Sequence, residues 1–260
     1  MGHLQQFQCL NWRNGYICRD TCGSSKKHFM KHVYDFLARL AKNNNREWFE
    51  AHKDEYLAAK DIFDNFTKEL IREISRWDPY IDHRRLTVQD CTYRIYRDLR
   101  FSKDKTPYKT HIGCFITHGG KKSQYPGYYF HMEPPESGSF LGGNILFAGI
   151  YMPEPKVIAS IRDEISVNGD ALIKAINKAK GFVLQYNALR RVPAGYEKVE
   201  DEGWRNLIKL KEISMFSNVS ENFLFARGNL AKRVSERFRY CKDLNLFLNR
   251  CVDYAMEGNI

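Results

Sequence analysis

Apolar residues first recur at helical spacing at Met30, Val33, Phe36, Leu37 and Leu40, which predicts a helix over residues 31–41. The run Asn43-Asn44-Asn45 ends it. Glu47 follows Asn44 by three, the spacing of a capping box, so a second helix is expected from that point. Trp48, Phe49, Tyr56, Phe63, Phe66, Leu70, Ile74 and Trp77 form its stripe, as one helix or a pair, and Asp78-Pro79 closes it. Between 91 and 152 the period shortens to that of strands. Residues 91–101, 110–117, 128–133 and 145–152 read as β, separated by turn material such as Lys-Asp-Lys-Thr-Pro and His-Gly-Gly. Connections this short predict an antiparallel meander, because parallel neighbours need longer crossovers.

From Pro155 the helical period returns. Val157, Ile158, Ile161 and Ile165 give one apolar face; Leu172, Ala175, Ile176 and Ala179 give another, with Asp170 as its expected cap. Residues 182–203 read as a loop or lid, 210–216 as a candidate further strand, and Leu230, Val234, Phe238, Cys241, Leu248 and Val252 as a long final helix. The order predicts an α+β fold: a central antiparallel β-meander over residues 91–152, with 210–216 as a possible addition, flanked by amino-terminal and carboxyl-terminal α-helices.

Composition narrows the function classes. With 43% hydrophobic residues the 260-residue chain can bury a core, which excludes wholesale disorder. No apolar run approaches the about 20 residues that cross a bilayer, so no membrane partner is expected. Residues 1–29 show no sustained period and read as a poorly ordered leader or an upstream extension, with Met30 as the natural start and 30–260 as a single α+β domain. Seven cysteines, an odd number thinly spread, do not form the framework of a small secreted protein and suit reduced thiols in the cytoplasm. Cys9, Cys18, Cys22 and His28 are metal-type residues but lack a C-x₂-C spacing; no metal and no cofactor is predicted. A net charge of +10 favours anionic partners.

The chemistry concentrates in residues 93–109. Read as a strand, Tyr93, Ile95, Leu99 and Phe101 form an apolar side interrupted by Arg97, expected to be a buried ion-pair partner or the floor of a pocket. Arg94, Tyr96, Asp98 and Arg100 form the polar side, where two arginines could clamp a carboxylate or phosphate. A basic turn with Lys103, Lys105 and Lys109 follows. Residues 94–109 hold three arginines and three lysines against two aspartates, a net +4. The expected anion contacts are Arg94, Tyr96, Arg100, Lys103, Lys105, Tyr108 and Lys109; a solvated, salt-bridged hairpin is the alternative. Tyr129, His131 and Glu133 share one strand face, and the histidine with the glutamate could act as base and orienting partner. Packed under helices, His131 would instead be a core histidine. Asp98, His131 and Glu133 are the proton-transfer candidates.

No phosphate-binding glycine loop, nucleophile elbow, H-E-x-x-H or paired C-x-x-C is present. Three functions therefore stay open: binding of, or action on, an anionic small molecule, phosphorylated or not; nucleic-acid binding through the basic turn with Tyr96, Phe101 and Tyr108; and a non-catalytic, partner-binding or structural role.

Five blocks in order resemble one family. They are Asn43-Asn44-Asn45-Arg46-Glu47-Trp48-Phe49; the stretch from Arg94-Ile95-Tyr96-Arg97-Asp98 to Pro107-Tyr108-Lys109; Gly127-Tyr128-Tyr129 with Glu133-Pro134; Gly149-Ile150-Tyr151-Met152-Pro153; and Arg191-Val192-Pro193. Over residues 30–255 the chain is similar to the bacterial and fungal family called domain of unknown function 2461. The resemblance implies no activity. It does mark residues 94–109 as a defining feature. The chain departs from the family pattern at Asn144-Ile145-Leu146-Phe147-Ala148, at Ala194-Gly195-Tyr196 and at Asp201-Glu202-Gly203.

Overall fold

The computed structural model describes residues 29–138 and 141–257; the expectations for the leader and for Cys9, Cys18, Cys22 and His28 lie outside them. Helix α1 (Phe29–Lys42) buries Val33, Phe36, Leu37 and Leu40, the stripe seen in the sequence. The three asparagines after it do three different jobs. Asn43 donates its side-chain amide to the Arg39 carbonyl (2.9 Å). Asn45, not Asn44, caps α2 (Arg46–Ala51), accepting the Trp48 N–H at 2.9 Å. Asn44 instead grips a distant segment: its amide donates to the Tyr108 carbonyl (2.9 Å) and its carbonyl accepts the Tyr108 N–H (3.1 Å). The expected capping box fails because that side chain is taken by a tertiary contact.

Helix α3 (Lys53–Ser75) carries the long aromatic stripe, and α4 (Val88–Cys91) is a single turn closed by a Thr87–Asp90 capping box. The sheet has the order β1-β2-β3-β5-β4, all antiparallel. Strands β1 (Ile112–Thr117), β2 (Gly127–Met132) and β3 (Ile145–Ile150) form the expected meander, and β5 (Ile213–Asn218) adds to β3. The two-residue β4 (Val183–Leu184) falls in the stretch expected to be a loop.

One expected strand is absent. Cys91 ends α4, and residues 92–110 show β-pairing only as the isolated bridges Thr92–Cys114 and Tyr96–Tyr108. The apolar side of that segment has almost nothing to pack against. Ile95 is buried, but Tyr93 is 45% and Phe101 94% exposed. Six cations within sixteen residues favour solvent over a ladder, so the alternation there does not report a buried face.

The remaining helices are α5 (Pro155–Lys178), α6 (Glu202–Ile208), α7 (Glu221–Phe225), α8 (Leu230–Phe238) and α9 (Lys242–Glu257). The two apolar faces of 155–179 belong to one helix interrupted at Asn168 (φ −145°, ψ 39°). Asp170 does not cap its second half; it accepts the Trp204 indole N–H at 3.0 Å. The expected final helix is α8 and α9 joined through a 3₁₀ turn, Arg239–Cys241.

A contiguous core runs from Val33 to Val252 on one face of the sheet. There Tyr128, Phe130 and Met132 of β2 point inward, with Phe130 against Phe63 and Phe66, and Tyr128 between Trp77 and Phe238. Tyr128 donates to Asp78 (2.7 Å), whose carboxyl burial pushes up in pKa. The opposite face presents Phe115, Tyr129, Phe147 and Phe216, none of which joins the core.

At the end of β3 the backbone leaves no room for a side chain. Gly149 has φ +119°, and a Cβ there would lie 2.3 Å from the Ile213 carbonyl oxygen. Gly149→Ala is therefore expected to lower unfolding free energy by about 3 kcal/mol in urea titrations. Gly138→Ala, at φ +57° with open space around it, should cost about 1 kcal/mol.

Candidate functional site

A cleft of about 490 Å³ opens off the outer edge of β1, between α3 and the segments 92–96 and 109–113. Its position follows from the pinch that replaces the missing strand. The Lys109 N–H donates to the Ile95 carbonyl (2.8 Å) and the Arg97 N–H to the Pro107 carbonyl (3.0 Å). These bonds set Arg94 beside Lys109. The Tyr108 ring is stacked on Phe49 at 3.9 Å, which with the Asn44 clamp ties the pinch to the helical layer.

Arg94 and Lys109 both line the cleft, and among the described residues neither is held in an ion pair, although Asp98 lies near enough for the Arg94 charge to help lower its pKa. The Lys109 ammonium lies 5.6 Å from the Tyr93 ring centre; burial and the Arg94 guanidinium hold its pKa below the usual lysine value. The other cation of the cleft, Lys60, is neutralised by Asp64 one helical turn along α3. Tyr56, Tyr93, Tyr96 and Tyr129 supply aromatic walls.

Behind the cleft lies a buried chain of three groups. The Tyr129 hydroxyl is 2.9 Å from His131 Nδ1, and His131 Nε2 is 3.0 Å from Glu133 Oε2. With the Nε2–H donated to the carboxylate, Nδ1 is free to accept the tyrosine proton. His131 and Glu133 are both essentially inaccessible, so Tyr129 is the member of the chain that reaches the cleft. Gly113 makes this possible: a Cβ there would sit 2.5 Å from the Tyr129 hydroxyl oxygen. The His111 ring faces His131 at 4.8 Å. Burial, with His131 adding to it, pulls the His111 pKa down to about 4; burial also lowers that of His131 and raises that of Tyr129.

The residues expected from sequence thus divide. Arg94, Tyr96 and Lys109 meet at the cleft, and His131 and Glu133 stand behind it through Tyr129. Tyr108 is buried and lines a smaller hollow of about 300 Å³ with Arg46, Glu50 and Arg97. Asp98, Arg100, Lys103 and Lys105 lie away from the cleft in an exposed turn that is largely self-paired. Arg100 holds Asp98 through its guanidinium (Nε–Oδ1 3.0 Å, Nε–Oδ2 3.2 Å, Nη2–Oδ2 2.6 Å) and its backbone N–H (3.2 Å to Oδ1), which lowers the aspartate's pKa. Arg97 is paired with Asp104 and remains 27% exposed, an ion pair of the turn rather than of the core. Lys105 donates to the Leu99 carbonyl at 3.0 Å. The sequence places Tyr129 on the strand face of His131 and Glu133 but gives it no part in the site. It misses Lys60 and Asp64, which no local pattern connects to the cleft.

Two histidines kept neutral by burial couple stability to pH. Because the folded pKa of His111 lies near 4, below its unfolded value, the unfolded chain binds more protons between those limits. Stability should therefore be full above about pH 6.5 and fall towards pH 4, by about 3 kcal/mol at most for this group. Denaturant titrations across that range should show the decline, and His111→Gln should flatten it.

Among the described residues, no cluster of three His, Cys, Asp or Glu side chains is placed to hold a metal ion, and no helix is long and apolar enough to cross a membrane. No curated protein and no solved structure matches the chain. A family model does, across residues 32–247, a span that contains the pinch, the cleft and the buried chain alike. The protein belongs to the family described as conserved hypothetical protein, DUF2461.

Proposed function

We propose that the chain binds an anionic small molecule, a phosphorylated or carboxylated metabolite, in the cleft beside β1. The observation that carries this reading is the convergence of Arg94 and Lys109, two cations held in no ion pair among the described residues, on a concave surface walled by tyrosines. An ammonium kept half-buried without a counter-charge loses hydration that an anionic ligand can replace. Arg94 would take a carboxylate or phosphate through two N–H groups, and Lys109 would meet it as a point charge. Lys103 and Lys105, outside the cleft, add a positive field that attracts anions without touching the bound one.

The same arrangement supports proton transfer. A ligand group beside Tyr129 can give its proton to the phenol oxygen while the phenol proton moves to His131 Nδ1. The Glu133 carboxylate, accepting from Nε2, steadies the resulting imidazolium. Asp98, held by Arg100 outside the cleft, has no part in this step. A cytoplasmic setting is supported by Cys91, Cys114, Cys241 and Cys251, which are buried free thiols.

Calorimetry with inorganic phosphate, sugar phosphates, nucleoside phosphates and dicarboxylates tests the assignment. At least one class should bind, Arg94→Ala should weaken it about tenfold to a hundredfold, and Arg100→Ala should change it less than about threefold. Absence of binding across the panel, or equal loss from the two substitutions, overturns the cleft as the site.

A further inference from the structure

The open face of the sheet holds a row of rings that extends beyond the cleft. In the strand register Phe115, Tyr129, Phe147 and Phe216 are direct cross-strand neighbours, one ring from each long strand, and Val183 of β4 completes the row. The four rings are half-buried and outside the core, and Val183 is 60% exposed. A sheet with one buried face ordinarily carries polar side chains on the other; this one carries a ladder of rings. Thr117, Gly127, Gly149 and Ser214 make up the next row, so the rings stand above a line of small residues.

The ladder continues past the strands. Tyr151, 62% exposed, stands edge-on to Phe147 at 6.5 Å, and Tyr93 stands edge-on to Tyr129 at 6.4 Å. Two ammonium groups, Lys109 and Lys121, lie 5.6 and 5.8 Å from the Tyr93 ring. The β1 end of the ladder is therefore cationic.

We infer that this face is a platform for single-stranded nucleic acid. Bases stack on the ring row, and phosphates meet Lys109 and Lys121 at its β1 end. Strands about 4.8 Å apart offer the rings at close, regular intervals to a chain crossing the sheet. Aromatic side chains on an open antiparallel sheet hold unpaired bases by their flat faces, whatever the base. The rim decides among occupants. Lys121 already donates to the Gln89 carbonyl, but an apolar protein surface would leave the Lys109 ammonium unanswered at its margin, whereas a polyanion satisfies it, in keeping with the chain's net charge of +10.

The platform shares Lys109, Tyr93 and Tyr129 with the cleft, but Phe147 and Phe216 line no part of it, so their substitution reads the platform apart from the cleft. Fluorescence anisotropy of the full chain with labelled oligo-U and oligo-dT of about ten nucleotides, at roughly 50 mM salt, tests it. Saturable binding is expected, weakened about tenfold by Phe147→Ala and similarly by Phe216→Ala, and falling steeply as salt rises. Both rings lie outside the core, and circular dichroism should show the variants folded. Absence of binding, binding indifferent to both substitutions, or equal affinity for a duplex of the same length overturns the inference. So does sedimentation showing a dimer that Phe147→Ala dissolves, which would assign the face to a second copy of the chain.

Discussion

The arrangement of the site rests on a clamp between two distant parts of the chain. Asn44 holds both backbone polar groups of Tyr108, and the Tyr108 ring lies flat on Phe49. Without that attachment residues 92–110 would be a charged loop with little reason to adopt one shape: only Ile95 and Tyr108 are buried in it. An amide satisfied twice by backbone in a part-buried setting is costly to break, because each freed group would need a new partner. The clamp thus converts a +4 segment into a fixed wall, and the two backbone bonds beyond it settle where Arg94 and Lys109 stand.

Against that wall the sheet supplies a contrasting environment. Arg94 is solvated and Lys109 half-buried, whereas His131 and Glu133 lie in the dry interior only a hydroxyl away. Cations at the solvated mouth and a histidine–carboxylate pair in the dry interior are thereby kept from cancelling one another. Lys109 does not neutralise Glu133, and His111 and His131 remain uncharged beside one another because burial disfavours two imidazolium ions at close range.

The fold was legible where burial was periodic. The α1 stripe, the three meander strands and the strand near 213 follow from apolar residues that meet a core, and their spacing reports it. The segment at 91–101 had the same alternation with no core beneath it, so the pattern was real and its meaning was not. The asparagine run shows a second limit: three identical residues in a row made one cap and three other side-chain bonds, and the choice among them was made by Tyr108, sixty-four positions away from Asn44. In the site, parity placed Tyr129, His131 and Glu133 together correctly, since strand geometry is local. Which arginines of the basic run would stay unpaired was decided by Asp98 and Asp104 folding back on Arg100 and Arg97, a matter of loop conformation rather than of spacing.

Gly113 has a consequence for how such a protein can change over time. The Tyr129 ring occupies the volume that any larger residue at position 113 would claim, so the contact between solvent-facing cleft and buried histidine exists by virtue of a missing methyl group. A drift from glycine to alanine there would leave the sheet's pairing and the cations in place and still disconnect the interior from the surface. At this one position a single carbon atom separates a cleft joined to the buried histidine from a cleft cut off from it.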